Sequence, residues 1–204
     1  MNNLDSLRKI YPFDPQSRTF SIPARLGNYN EFFNPMDPSP APARDLSLEL
    51  VEYLNQCSVE ILERYPLALS IEIQNEPRAA LREKECLESL RSFYQHAIFT
   101  TQAQIRRKRR QALKYLGVSF LCLGAYILSE WFQSVQGRVG AGGFFVDLLR
   151  EAVLIGGWVF MWEAVTLNFI EMDTLIQEIK KCQRLIEAKL VFSYTQTTGQ
   201  PEVE

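Results

Sequence analysis

Glu163 is the residue whose chemistry stands out most. It is an acid within AVLIGGWVFMWEAVTLNFI, residues 152–170, a run with no other charge and with Asn168 as its one other strongly polar side chain. If that run crosses a bilayer, an ionised carboxylate near its middle costs about 2.5–3.5 kcal/mol on insertion scales. Its presence therefore points to a proton or cation site facing protein or a water-filled cavity, with Thr166 on the same helical face. The plainer alternative is a protonated or snorkelling acid near the inner interface. Glu130, near the far end of a preceding apolar run, reads as interfacial.

Other groups carry less. His96 is the single histidine, with no cysteine or acid cluster at ligand spacing around it. Cys57 lacks a histidine base and reads as a small core residue. GRVGAGG, residues 137–143, lacks the Lys-Ser/Thr ending of a phosphate loop. Neither a catalytic residue, a metal ligand nor a cofactor is expected, and the chain is read as not an enzyme. The run Arg106, Arg107, Lys108, Arg109, Arg110 leads directly into an apolar stretch. That position favours anchoring to anionic lipid headgroups over nucleic acid, and the net charge of −2 agrees.

The charges are strongly segregated. Six of the 22 basic residues lie between 106 and 114, leaving the rest of the chain at −8. Residues 115–129, YLGVSFLCLGAYILS, carry no charge. A helix crossing a hydrocarbon core needs about 20 mostly apolar residues. Two spans are expected, at 113–135 and 150–170, with Trp131 at an interfacial belt. Gly117 and Gly124 share one face of the first span, and Gly156 and Gly157 sit at comparable depth in the second, so all four are assigned to close helix packing. Residues 136–149, rich in glycine, read as an extracytoplasmic turn. Ten bases flank the other sides of the spans against two, Arg138 in the turn and Arg150 at its edge, which puts both termini in the cytoplasm. No apolar signal-peptide core is seen near Met1, and all four cysteines are expected to be reduced thiols.

The remaining segments must position these spans. Residues 1–44 hold seven of the ten prolines and read as an extended, mostly irregular arm, in which 18–25 could form a strand confined to a sheet edge by Pro23. Residues 45–110 read as helix–strand–helix. A helix to about Arg64 is capped by Asp45 or Ser47, and a strand at 66–73 buries Leu67, Leu69, Ile71 and Ile73 on one face. One helix then continues from about 78 to 134. Residues 171–204 read as a helix followed by a strand at 189–195, the first choice of partner for 66–73. The second choice is the N-terminal arm.

The segments FFNPMDPSPAPARDLS (32–47) and LLREAVLIGGWVFMW (148–162) resemble an uncharacterised prokaryotic family of two-pass membrane proteins. Its members have an Asn-Pro-x-Asp-Pro-Ser-Pro arm, here Asn34 to Pro40, and a Gly-Trp-Val-x-x-Trp motif, here Gly157, Trp158, Val159 and Trp162. The family pattern continues with a base and a proline where this chain has Glu163 and Ala164. The resemblance implies a bacterial cytoplasmic (inner) membrane location and no particular activity.

The expected fold class is a mainly α membrane protein. A two-helix transmembrane hairpin is extended by an antiparallel helical pair and carries a small cytoplasmic α/β cap of two or three strands. The expected function is a non-enzymatic scaffold or interaction protein, homo-oligomeric, with the lipid bilayer and an unidentified protein as partners. The competing expectation is a small oligomeric ion channel or proton pathway lined by the second span.

Overall fold

The structure, a computed structural model, describes residues 3–136 and 143–195. It is mostly helical, with two long apolar helices and a four-stranded sheet. In chain order the elements are α1 (Asn3–Ile10), β1 (Phe13–Asp14), β2 (Thr19–Leu26), a 3-10 turn (Tyr29–Phe32), α2 (Leu48–Glu60) and β3 (Leu67–Ile73). Then come α3 (Ala80–Gln136), α4 (Gly143–Thr166), a π-helical segment (Leu167–Glu171), α5 (Met172–Glu187) and β4 (Lys189–Tyr194). The chain divides into two compact units, one made of residues 1–99 with 178–204, the other of residues 100–177.

The first unit is built on a sheet of order β1-β2-β3-β4. β1 and β2 are antiparallel, while β2–β3 and β3–β4 are parallel, with Ile22 opposite Leu69 and Leu69 opposite Leu190. β3 alternates as its sequence dictates: Leu67, Leu69, Ile71 and Ile73 are buried, and Ala68, Ser70 and Glu72 between them are half-buried. The buried face meets Leu50, Leu54 and Cys57 of α2, Cys86, Leu90 and Tyr94 of α3, and Cys182 and Leu185 of α5 in one core. The expected partnership of 66–73 with 189–195 is present, and the N-terminal segment pairs on the other side.

Three expectations change here. The sheet has four strands rather than two or three, because Phe13–Asp14 adds a short one. Residues 3–32 are not part of an irregular arm, since they form α1, β1, β2 and the 3-10 turn. The prolines of the expected arm are densest at 35–42, while Phe20, Ile22, Tyr29, Phe32 and Phe33 before them are buried core residues whose partners are distant in sequence. β2 has a neighbour on each side, yet β1 reaches only Thr19 and Phe20, so among the described residues no strand lies on the outer side of β2 at Pro23. The Pro23 carbonyl instead accepts a hydrogen bond from Tyr53 Oη at 2.7 Å.

Within the second unit α3 and α4 run antiparallel; the first apolar run is one unbroken α-helix, while the second, expected at 150–170, is α-helical to Thr166 and π-helical from Leu167. The turn expected at 136–149 is shorter than that. Residues 143–149 are helical, since the glycines end at Gly143 and FFVDLLR follows, and 137–142 lie outside the described residues. Residues 196–204, the end of the expected 171–204 segment, also lie outside them.

Candidate functional site

Two helices of the chain are long and apolar enough to cross a membrane. In the core of a water-soluble protein such stretches would be mostly buried. Here 11% of the most apolar stretch of α3 and 17% of that of α4 and its continuation are buried. Leu121 is 74% exposed and Trp162 65%, and Phe120, Ile127, Leu128, Trp131 and Val159 are exposed with them.

The inward faces hold polar and small residues, together with Ile105, Phe160 and Leu167. On α3 the inward positions recur at alternating steps of four and three: Thr101, Ile105, Lys108, Ala112, Tyr115, Ser119, Cys122 and Tyr126, each buried or half-buried. That spacing averages 3.5 residues, the period of a left-handed helix pair. On the returning helix Arg150, Gly157, Ala164 and Glu171 follow at intervals of seven and are likewise buried or half-buried. Lys108 forms an ion pair with Glu171. At the other end Arg150 pairs with Glu130 at 2.8 Å and stacks over Tyr126 at 5.3 Å. Between them Ser119 Oγ donates to the Gly157 carbonyl at 2.8 Å, and the Tyr115 and Phe160 rings lie 5.9 Å apart. The two ion pairs are 22 residues apart on α3, ~33 Å at 1.5 Å per residue.

The glycines divide. A Cβ on Gly157 would stand 3.1 Å from Cys122 Cβ, so this is a true close approach of two helices. Cβ atoms on Gly117, Gly124 and Gly156 would meet nothing within 4 Å, and their assignment to helix packing does not hold within one copy of the hairpin. The seven-residue spacing of Gly117 and Gly124 is the period of the pair, but they stand two residues before Ser119 and Tyr126, roughly 200° around the helix, and so face outward.

Glu163 does not face protein within one chain. The residue packed inward is its neighbour Ala164, while Glu163 is exposed and Thr166 half-buried, with no hydrogen bond between them. Arg106, Arg107, Arg109 and Arg110 are exposed, fanned around the side of α3 away from Lys108. Trp131 is exposed directly after Glu130.

In the first unit the groups that sequence reading passed over are Arg184, Tyr29 and Tyr194. Arg184 caps the end of α2: its guanidinium donates to the carbonyls of Ser58, Ile61, Leu62 and Tyr65 at 2.8–3.3 Å. Burial holds its pKa below the usual arginine value. Tyr29 Oη and Tyr194 Oη lie 2.6 Å apart, and Tyr194 Oη donates to Glu83. Burial, and then that carboxylate, push the Tyr194 phenol upward. An open groove of about 830 Å³ is lined by Pro23, Arg25, Asn30, Phe33, Leu50 and Tyr53. The proline-rich segment is tied by Asp37, whose carboxylate accepts from the backbone of Asp45 at 2.7 Å and of Ser39 at 3.0 Å. The cysteines of this unit, Cys57, Cys86 and Cys182, are buried free thiols, and burial pushes Cys86 up to about 12.

Set against models of protein families, curated proteins and solved structures, the chain matches none of them. What fold and geometry define is a class: a mostly helical protein with two long apolar helices and a small four-stranded α/β unit.

Proposed function

We propose that this protein is a two-pass integral membrane protein of the bacterial cytoplasmic membrane, acting as a non-enzymatic scaffold. A helical hairpin holds the α/β unit at the cytoplasmic face for a protein partner. The observation that carries the reading is the inverted polarity of the hairpin, with serine, small residues and ion pairs between the helices and large apolar side chains outside. Water would drive the opposite arrangement, because exposed apolar surface costs roughly 25 cal/mol per Å². Lipid removes that cost and leaves close packing and hydrogen bonding to join the helices.

The Lys108–Glu171 and Glu130–Arg150 pairs supply the two polar boundaries. Their separation of ~33 Å matches a hydrocarbon core of about 30 Å. The bias of lysine and arginine supports cytoplasmic termini, and the exposed arginines beside Lys108 suit anionic headgroups. The resemblance of Asn34–Pro40 and Gly157–Trp162 to a prokaryotic two-pass family agrees with this placement.

A second reading is favoured by one observation, the exposed carboxylate of Glu163 within the apolar band. It is a small oligomeric channel or proton pathway with Glu163 on its wall. Proton and potassium flux into liposomes loaded with the purified chain separates the two. The scaffold predicts no flux above empty liposomes. Flux that disappears with Glu163→Gln and persists with Glu130→Gln would replace the scaffold with the channel.

A further inference from the structure

Lys114 and Glu163 are the charged side chains that lie deepest in the apolar band among the described residues, well inside Arg109, Arg110 and Glu151 at its borders, and they have no partner within one hairpin. Lys114 and Glu163 are both exposed, and among the described residues neither makes a hydrogen bond or an ion pair. Lys114 stands six residues, ~9 Å, inward of Lys108 along an α-helix, and Glu163 stands eight residues inward of Glu171 across the π-helical segment. The contacts Lys108–Glu171, Cys122–Gly157 and Glu130–Arg150 fix how the helices align. By that alignment Lys114 and Glu163 differ in depth by about two residues, ~3 Å.

They also share a flank. Glu163 precedes the inward Ala164 by one residue and so borders the seam on α4. On α3 the matching border position is Val118, one before the inward Ser119, and Lys114 lies one helical turn from Val118 on the same side. In an antiparallel pair these two borders lie side by side. One flank of the hairpin therefore carries a cation on one helix and an anion on the other at nearly equal depth. Gly156, seven residues before Glu163 with open space at its Cβ position, lies on that flank too.

Such a flank is complementary to itself. A two-fold rotation about the membrane normal keeps both termini on one side, sets α3 against α4 of a second copy, and brings each lysine to the other copy's glutamate. The interface is isologous, the commonest form of self-association. We propose that this flank is a docking surface for a second copy of the same chain, with Lys114 of each hairpin paired to Glu163 of the other inside the bilayer. The proposal rests on the membrane reading, since charges left unpaired in lipid are what the second copy satisfies. It also gives Glu163 a role other than conduction.

The test mixes two differently tagged copies of the full chain, both carrying Cys122→Ser, in vesicles of phosphatidylethanolamine with a minority of phosphatidylglycerol. One copy has Lys114→Cys and the other Glu163→Cys. Mild oxidation is expected to yield a disulfide-linked pair bearing both tags, and Phe120→Cys in place of Lys114→Cys, on the opposite flank, is expected to yield none. Without engineered cysteines, Lys114→Glu and Glu163→Lys are each expected to lower the dimer fraction several-fold, and the double exchange to restore it. If the vesicle-bound chain gives no two-tag product, or Phe120→Cys crosslinks as well as Lys114→Cys, the proposal is overturned while the membrane reading stands. A chain that does not float with the vesicles overturns both.

Discussion

Ser119 and Gly157 join the two apolar helices near the middle of the band: the serine hydroxyl donates to the glycine carbonyl at 2.8 Å, and the contact is buried. The bond is possible because Gly157 has no side chain, its missing Cβ being 3.1 Å from Cys122 Cβ. Cys122 Cβ is fixed to its own backbone and cannot swing away, so a larger residue must push the helices apart.

Gly157→Leu is expected to destabilise the hairpin by about 2–3 kcal/mol, the range of forced overpacking. Gly156→Ala, one residue earlier with nothing within 4 Å, is expected to be neutral or to gain up to about 1 kcal/mol from helix propensity. Unfolding of the two variants in mixed micelles of mild detergent and dodecyl sulfate compares them directly. Equal effects would show that the helices do not meet at Gly157.

Arg184 serves the first unit in another way. The end of α2 leaves carbonyls without intrahelical partners, and this guanidinium takes that of Ser58 together with those of Ile61, Leu62 and Tyr65 in the turn that follows the helix. Arg184→Ala is expected to cost about 2–3 kcal/mol, in the range of hydrogen bonds to a charged group. Arg184→Lys should recover less than half, because an ammonium cannot fork across four acceptors. Thermal melting of the detergent-solubilised chain, followed by the tyrosine signal in near-ultraviolet circular dichroism, measures both.

Acid should loosen the proline-rich segment late. Hydrogen bonds from the Asp45 and Ser39 backbones hold the Asp37 carboxyl below the ordinary aspartate range. Its folded pKa is depressed, so its contribution is full above the unfolded value and is lost as pH falls through the folded one. The amides of Ser39 and Asp45 are expected to keep their protection against hydrogen exchange from neutral pH down into that range. In Asp37→Asn that protection should be reduced above that range and should match the unsubstituted chain below it.

Thiol chemistry reports the core of the same unit. Cys57, Cys86 and Cys182 are buried, and burial raises Cys86 to about 12 and moves Cys182 in the same direction. A water-soluble maleimide at pH 8 is expected to modify these three only as fast as the unit unfolds. Labelling of Cys86 at the rate of a free thiol would place it outside the core.

Much of the scaffold was legible in the residues. The unbroken apolar and amphipathic pattern from Arg78 onward marks α3, and the alternation of Leu67, Leu69, Ile71 and Ile73 marks β3 together with its need for partners. The N-terminal segment was harder, because the prolines at 35–42 are a local signal. The burial of Phe20, Tyr29 and Phe32 depends on β3, the helices and β4, which lie far along the chain. The seam was hidden for a related reason. Lys108 is one of five consecutive bases, and Ser119, Gly157 and Ala164 are small, so a search for hydrophobic stripes finds the lipid-facing side instead. Gly117 and Gly124 have the period of the pair and the wrong phase. Glu163 stands out in the sequence as an acid in an apolar run, but its direction depends on Ala164 being the residue that packs inward.

The most direct measurement of the central claim is extraction of cell membranes with alkaline carbonate, which strips peripheral proteins and leaves embedded ones. The account predicts that the full chain stays in the pellet and leaves it only with detergent. A chain found in the supernatant, monodisperse in buffer alone with Leu121 and Trp162 in water, would contradict it.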